Sequence, residues 1–107
     1  MLKRYAPGNL TTNSATIVSC GQNQRITVKS MWFANTHSGN VSLYVNHVPS
    51  GNVASTANSL VYNSDISSHS TVVFDTEFYM EPGDTIEAYA SAASHIAMFV
   101  YAEVFEQ

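Results

Sequence analysis

Apolar and polar residues alternate along several short stretches of the chain. In Val41-Ser42-Leu43-Tyr44-Val45 the residues Val41, Leu43 and Val45 share one parity, which places them on one face of a strand. In Thr85-Ile86-Glu87-Ala88-Tyr89-Ala90 the inward set is Ile86, Ala88 and Ala90. No window sustains a helical period. β-Branched and aromatic residues come in short runs broken by Gly, Asn, Ser and Pro, the pattern of an all-β chain. Strands are predicted near residues 15–20, 24–35, 40–48, 59–66, 70–78, 84–91 and 95–105. About seven strands with short links suit a single antiparallel β-sandwich of Greek-key or jelly-roll type.

Two of these strands depart from simple alternation. Ile26 and Val28 have one parity, Met31 and Phe33 the other. A β-bulge at Lys29-Ser30 would keep all four inside and turn Trp32 outward; a strand buried on both faces is the alternative. In the last strand Ile96, Met98, Val100, Ala102 and Val104 make one apolar face, while the other carries Phe99, Tyr101, Glu103 and Phe105. Three aromatics on the outer face of a sandwich need a cover. A partner subunit is the simplest one, the domain's own loops the other.

Residues 1–14 show no strand pattern and contain Pro7, Gly8, two Asn and two Thr. They are expected to form an extended arm ahead of a sandwich domain spanning 15–107. Such a segment is disordered when left alone, so Leu2 and Tyr5 are its candidate apolar anchors on a neighbouring chain. Glu81-Pro82-Gly83-Asp84 fits a type II turn, with Pro second and Gly third.

Composition narrows the function. Charged residues make up 11% of 107 residues, against an ordinary share of about 25%. Ser, Thr and Asn together supply roughly 30% of the chain, well above usual. A surface of short neutral polar groups suits packing against other proteins, because charges are costly to desolvate there. The net charge of −4 comes without a basic stripe, which argues against a nucleic-acid partner. No apolar run approaches the ~20 residues of a membrane span, so no membrane partner is expected. No apolar signal segment follows Met1-Leu2-Lys3-Arg4. Cys20 is the single cysteine, read as a small buried apolar residue.

Candidate chemistry is thin. His37, His47, His69 and His95 have no metal-ligand spacing with one another or with Cys20. Asp75 and Glu77 are two apart, which puts them on one strand face as either a cation site or plain surface charge. No phosphate loop, nucleophile elbow or Cys-His pair is present, so no catalytic residue, cofactor or metal is assigned and the chain is not expected to be an enzyme. A carbohydrate site needs only an exposed aromatic and a few amides, which Trp32, Tyr44 and Asn46 could supply.

A chain of linked motifs carries a family likeness: Thr16-Ile17-Val18, then Ile26 to Thr36, then Val41 to Val45, Ser59-Leu60-Val61-Tyr62, and Val100 to Val104. The strongest is Glu81-Pro82-Gly83-Asp84-Thr85-Ile86-Glu87-Ala88-Tyr89-Ala90-Ser91. Over residues 15–105 the chain resembles small all-β virion structural proteins of tailed bacteriophages, the capsid decoration (cement) and tail- or fibre-associated proteins. It departs from their pattern at Gly21-Gln22-Asn23 and at Trp32. The resemblance implies a role in the virion, made in the host cytoplasm, and no catalytic residues. The expected function is a cement protein, a homo-oligomer and specifically a trimer, bound to the major capsid protein or other virion proteins. The alternative is a tail or fibre component touching the host surface or joining tail parts. Leu2, Tyr5, Trp32, Phe99, Tyr101 and Phe105 are the expected self-association or partner surface.

Overall fold

The computed structural model describes residues 1–75 and 77–106. Among them, nine strands form two antiparallel sheets, with one 3-10 turn and no longer helix: β1 (Leu2–Asn9), β2 (Ala15–Ser19), β3 (Gln24–Asn35), β4 (Val41–Val48), β5 (Ser59–Ile66), β6 (Thr71–Phe74), β7 (Phe78–Met80), β8 (Thr85–Ala90) and β9 (Ile96–Glu106). One sheet runs β1-β9-β3-β6, with β7 pairing the same edge of β3 lower down; the other runs β2-β8-β4-β5. If β6 and β7 are taken as one interrupted strand, each sheet has four strands, and every connection except β4 to β5 crosses from one sheet to the other. This is the jelly-roll form of the sandwich.

The apolar alternation drives the two sheets together. Ile86, Ala88 and Ala90 from β8 and Val41, Leu43 and Val45 from β4 are buried against Ile26, Val28, Met31 and Phe33 from β3 and the even-numbered apolar residues of β9. The expected bulge in β3 is present. Register with β9 shifts between Val28 and Ser30, so Ile26, Val28, Met31 and Phe33 all face inward and Trp32 faces out. The extra residue at the shift is Lys29, whose Nζ reaches Glu77 at 3.1 Å.

Two buried polar side chains close the ends. At one end Gly83 has φ +88 and the Asp84 N–H donates to the Glu81 carbonyl at 3.0 Å, the expected turn. A Cβ on Gly83 would run into the Ser50 side chain. The Asp84 carboxylate accepts from the backbone of Glu81 and Ser50, both at 3.0 Å, and lies 3.2 Å from His47 Nε2. Burial alone would raise its pKa, but those backbone donors and His47 outweigh it and hold the carboxyl below its ordinary value. At the other end the Asn35 amide donates to Gly39, Ile66 and Ser67 carbonyls and its Oδ1 accepts from His37 N at 2.9 Å.

The structure corrects three expectations. Leu2–Asn9 is not an arm awaiting a neighbouring chain: it is the edge strand β1, paired antiparallel with β9 from Leu2↔Glu103 to Asn9↔Ala97. The open edge of β9 supplies the backbone partners that local sequence could not reveal. A register shift between Tyr5 and Gly8, with Gly8 at φ +100, breaks the alternation that would have marked it. The strand expected over 70–78 is two short strands, and Asp75 and Glu77 lie in the break between them, so they share no strand face. Thr76, within that stretch, and Gln107, at the end of the expected domain, lie outside the described residues.

Candidate interaction face

The outer face of the five-stranded sheet carries most of the residues expected to meet a partner. Trp32 on β3 stands directly between Val73 on β6 and Phe99 on β9. One step along, Tyr101 lies between Ser30 and Arg4. Further on, Leu2, Glu103, Thr27 and Tyr79 form a row across four strands, and Phe105 sits opposite Arg25. Trp32 is 43% exposed, Phe99 39%, Tyr101 38% and Phe105 52%. No loop of the described chain covers them. Each 100 Å² of such apolar surface removed from water would contribute about 2.5 kcal/mol.

Three ion pairs lie around this face, and Arg4 stands across from Tyr101. Arg25 bridges to Glu81, Lys29 to Glu77, and the Met1 amino group to Glu103. These exposed pairs add little stability; an aromatic strip with an arginine beside it and polar groups around it is the anatomy of a protein contact surface. Trp32 donates its indole N–H to Ser30 Oγ at 3.3 Å, so its polar atom is not left seeking a partner.

Of the six residues expected at this surface, the face gathers Leu2, Trp32, Phe99, Tyr101 and Phe105. Tyr5 does not belong with them. It lies opposite Val100 and packs against the domain's own core, with Lys3 Nζ 4.8 Å from its ring. Burial first, and the neighbouring Cys20 second, push its phenol pKa up. Tyr5 thus anchors β1 to its own sandwich.

The expected chemistry stays dispersed. Cys20 is buried, and its thiol lies 3.3 Å from the Gln24 carbonyl. Burial, then Asp84 and Glu81, raise its pKa, so the reactive thiolate is suppressed. Among the described residues no group of three His, Cys, Asp or Glu could hold a metal ion. His37 and His95 do meet, ring on ring at 3.9 Å, a pairing of two loops that spacing could not foretell.

Sequence reasoning missed a second aromatic cluster, on the outer face of the four-stranded sheet. Tyr44 stacks on Tyr89 at 4.4 Å with an interplanar angle of 4°, and meets Tyr62 edge-on at 5.5 Å. Tyr44 and Asn46 lie here, on the sheet opposite Trp32, so the three do not form one sugar site. The outward parity of Tyr44 and Tyr89 was readable; their direct pairing across β4 and β8 was not.

No protein-family model and no curated protein matches the chain. Solved structures do. Over 99% of its length the chain is similar to a chain of the Bacillus endospore appendages, a family of disulfide-linked pili, with TM-score 0.59, 12% identity and 87% of that chain covered. It is also similar, again over 99% of its length, to a chain of the T13 IBDV viral particle (TM-score 0.54, 6% identity, 31% of that chain covered). A chain of infectious bursal disease virus strain Gx gives TM-score 0.50, 6% identity and 32% coverage. The protein spans about a third of the length of those two viral chains.

What these proteins share is the fold. The same jelly-roll sandwich recurs in a pilus subunit and in virus-particle chains, and one fold hosts many functions.

Proposed function

We propose that the protein is a non-enzymatic structural protein that assembles with itself and with a larger particle through the outer face of its five-stranded sheet. The observation that carries this reading is the aromatic strip of Trp32, Phe99, Tyr101 and Phe105, left in water by the domain's own loops. A contact there would bury aromatic surface inside a polar rim in which Arg25 and Lys29 are paired with carboxylates.

The more specific role is a capsid decoration protein of a tailed bacteriophage, forming a trimer seated on the assembled coat. The motifs from Thr16 to Val104 that resemble phage virion proteins support it, as does a fold shared with proteins of pili and virus particles. The physical mechanism is mass action: a protein that binds the assembled shell and not its separated parts stabilises the shell. The Bacillus appendages are disulfide-linked; here the single cysteine is buried, so assembly rests on noncovalent contact.

Immunogold labelling of intact phage particles, with an antibody shown to bind the native protein, tests the role. Gold over heads is the expected result. Gold confined to tails would replace decoration of the coat by a tail or fibre role, and unlabelled particles would remove the virion reading.

A further inference from the structure

The tyrosine cluster on the four-stranded sheet borders a cleft of about 310 Å³, walled on its other side by the loop that carries the 3-10 turn Thr56–Asn58. That volume is at the small end of ligand sites and suits one ring-sized molecule. Three features make it more than a gap in the surface.

The edge strand is distorted to build it. Register between β4 and β5 slips between Leu43↔Ser64 and Val45↔Val61, so Tyr62 and Asn63 together stand opposite the single residue Tyr44. Asn63 takes the left-handed conformation, φ 51, and its Oδ1 accepts the Tyr44 hydroxyl at 3.0 Å. A bulge of this kind re-aims a side chain, and a left-handed non-glycine residue is strain that the surroundings must hold. Tyr62 is thereby held 62% exposed at the cleft rim.

The floor presents a fixed acceptor. Asn46 lines the cleft and is only 6% exposed. Its amide nitrogen donates to the Ser55 carbonyl at 2.7 Å and to Asn58 Oδ1 at 2.9 Å. Both partners are acceptors, which settles the orientation of the amide. Among the described residues no hydrogen bond goes to its carbonyl oxygen. Since no fully buried side-chain oxygen among the described residues lacks a partner, that oxygen keeps some access to solvent, on a residue that lines the cleft.

The electrostatics select the ligand. The strands of this sheet contain no Lys or Arg. One carboxylate, Glu87, lies opposite Asn46 in the ladder and accepts from Ser14 Oγ at 3.0 Å. A negatively charged ligand would meet a carboxylate with no cation to offset it. An uncharged molecule with an apolar face and hydroxyl donors at its rim fits all three features: the face lies on the Tyr62 ring and a hydroxyl donates to Asn46 Oδ1.

We propose that the cleft between Tyr62, Tyr89 and Asn46 binds a neutral pyranose sugar, as a free end or a branch of a glycan. The site is on the sheet opposite the aromatic assembly face, so either proposal can fail without the other.

The test is titration of the ¹⁵N-labelled full chain with methyl glycosides of glucose, galactose, mannose and N-acetylglucosamine, with sialyllactose as the acidic control. At least one neutral glycoside should shift the Asn46 side-chain amide and the backbone signals of Tyr62 and Tyr89 saturably. Tyr62→Ala should weaken that binding about tenfold, the worth of one aromatic face, and Tyr62→Phe should keep it. The exposed position of Tyr62 leaves folding intact, and the same spectra report it. Silence of the Asn46 amide with all four glycosides, undiminished binding by Tyr62→Ala, or sialyllactose bound as tightly as the best neutral sugar would each overturn the proposal.

Discussion

Trp32 and Phe99 stand directly opposite each other in the β3–β9 ladder, both on the outer face of the sheet, and both stay more than a third exposed to water. Their neighbours one residue along, Phe33 and Met98, form the buried pair on the other face. The two pairs separate folding from association. Phe33→Ala removes a fully buried ring and should cost about 3–5 kcal/mol. Trp32→Ala should change monomer stability by about 1 kcal/mol or less, the worth of a cross-strand pair. Urea denaturation of the two variants beside the parent protein checks both figures.

Removing residues 1–9 distinguishes a strand from an arm. β1 supplies one full edge of a sheet, Tyr5 packs on the core, and the Met1 amino group donates to the Val104 carbonyl at 2.8 Å. Deletion should therefore lower the midpoint of thermal unfolding and expose the β9 edge to aggregation. A truncated protein with unchanged melting would mean that the β1–β9 pairing contributes nothing to the fold.

Asp84 makes the fold sensitive to acid. Its carboxyl titrates below its ordinary value in the folded state because backbone donors and His47 outweigh the effect of burial. A lowered folded pKa means that the unfolded chain takes up the proton first. The stabilisation is then full above the ordinary carboxylate range and is lost as pH falls through the depressed value. Asp84→Asn should cost about 2 kcal/mol or more at neutral pH, as charged hydrogen bonds are lost. It should also flatten the fall in stability below about pH 4. Urea midpoints from neutral to acidic pH, for both proteins, provide the comparison.

Cys20 should be silent in the native protein. The thiol is buried and its pKa is raised, first by burial and then by Asp84 and Glu81. Labelling by a maleimide should be slow until denaturant is added, and a reducing agent should leave the oligomeric mass unchanged. Rapid native labelling, or a reductant-sensitive oligomer, would bring disulfide assembly back.

Much of the sandwich was legible because each strand has to hide one face. The alternation in β4 and β8, the parity switch at Lys29-Ser30 and the two-faced apolar pattern of β9 each state a burial requirement that the structure meets. β1 was not legible, because its strand pairing depends on the unfilled edge of β9, almost a whole chain away, and a register shift hides its periodicity. The outer aromatic face could be named from β3 and β9 alone. The tyrosine cleft could not, since it needs Tyr44 beside Tyr89 and a bulge at Tyr62-Asn63, both products of pairing between strands distant in sequence.

Sedimentation equilibrium of the parent protein and of Tyr101→Asp tests the assembly face most directly. Tyr101 is central to the aromatic strip and makes no core contact, so a buried charge there opposes association without opposing folding. The parent protein should sediment at three times the monomer mass and Tyr101→Asp, with an unchanged circular dichroism spectrum, at the monomer mass. A folded Tyr101→Asp protein of the parent's oligomeric mass, or a parent that stays monomeric at every concentration, would contradict self-association through this face.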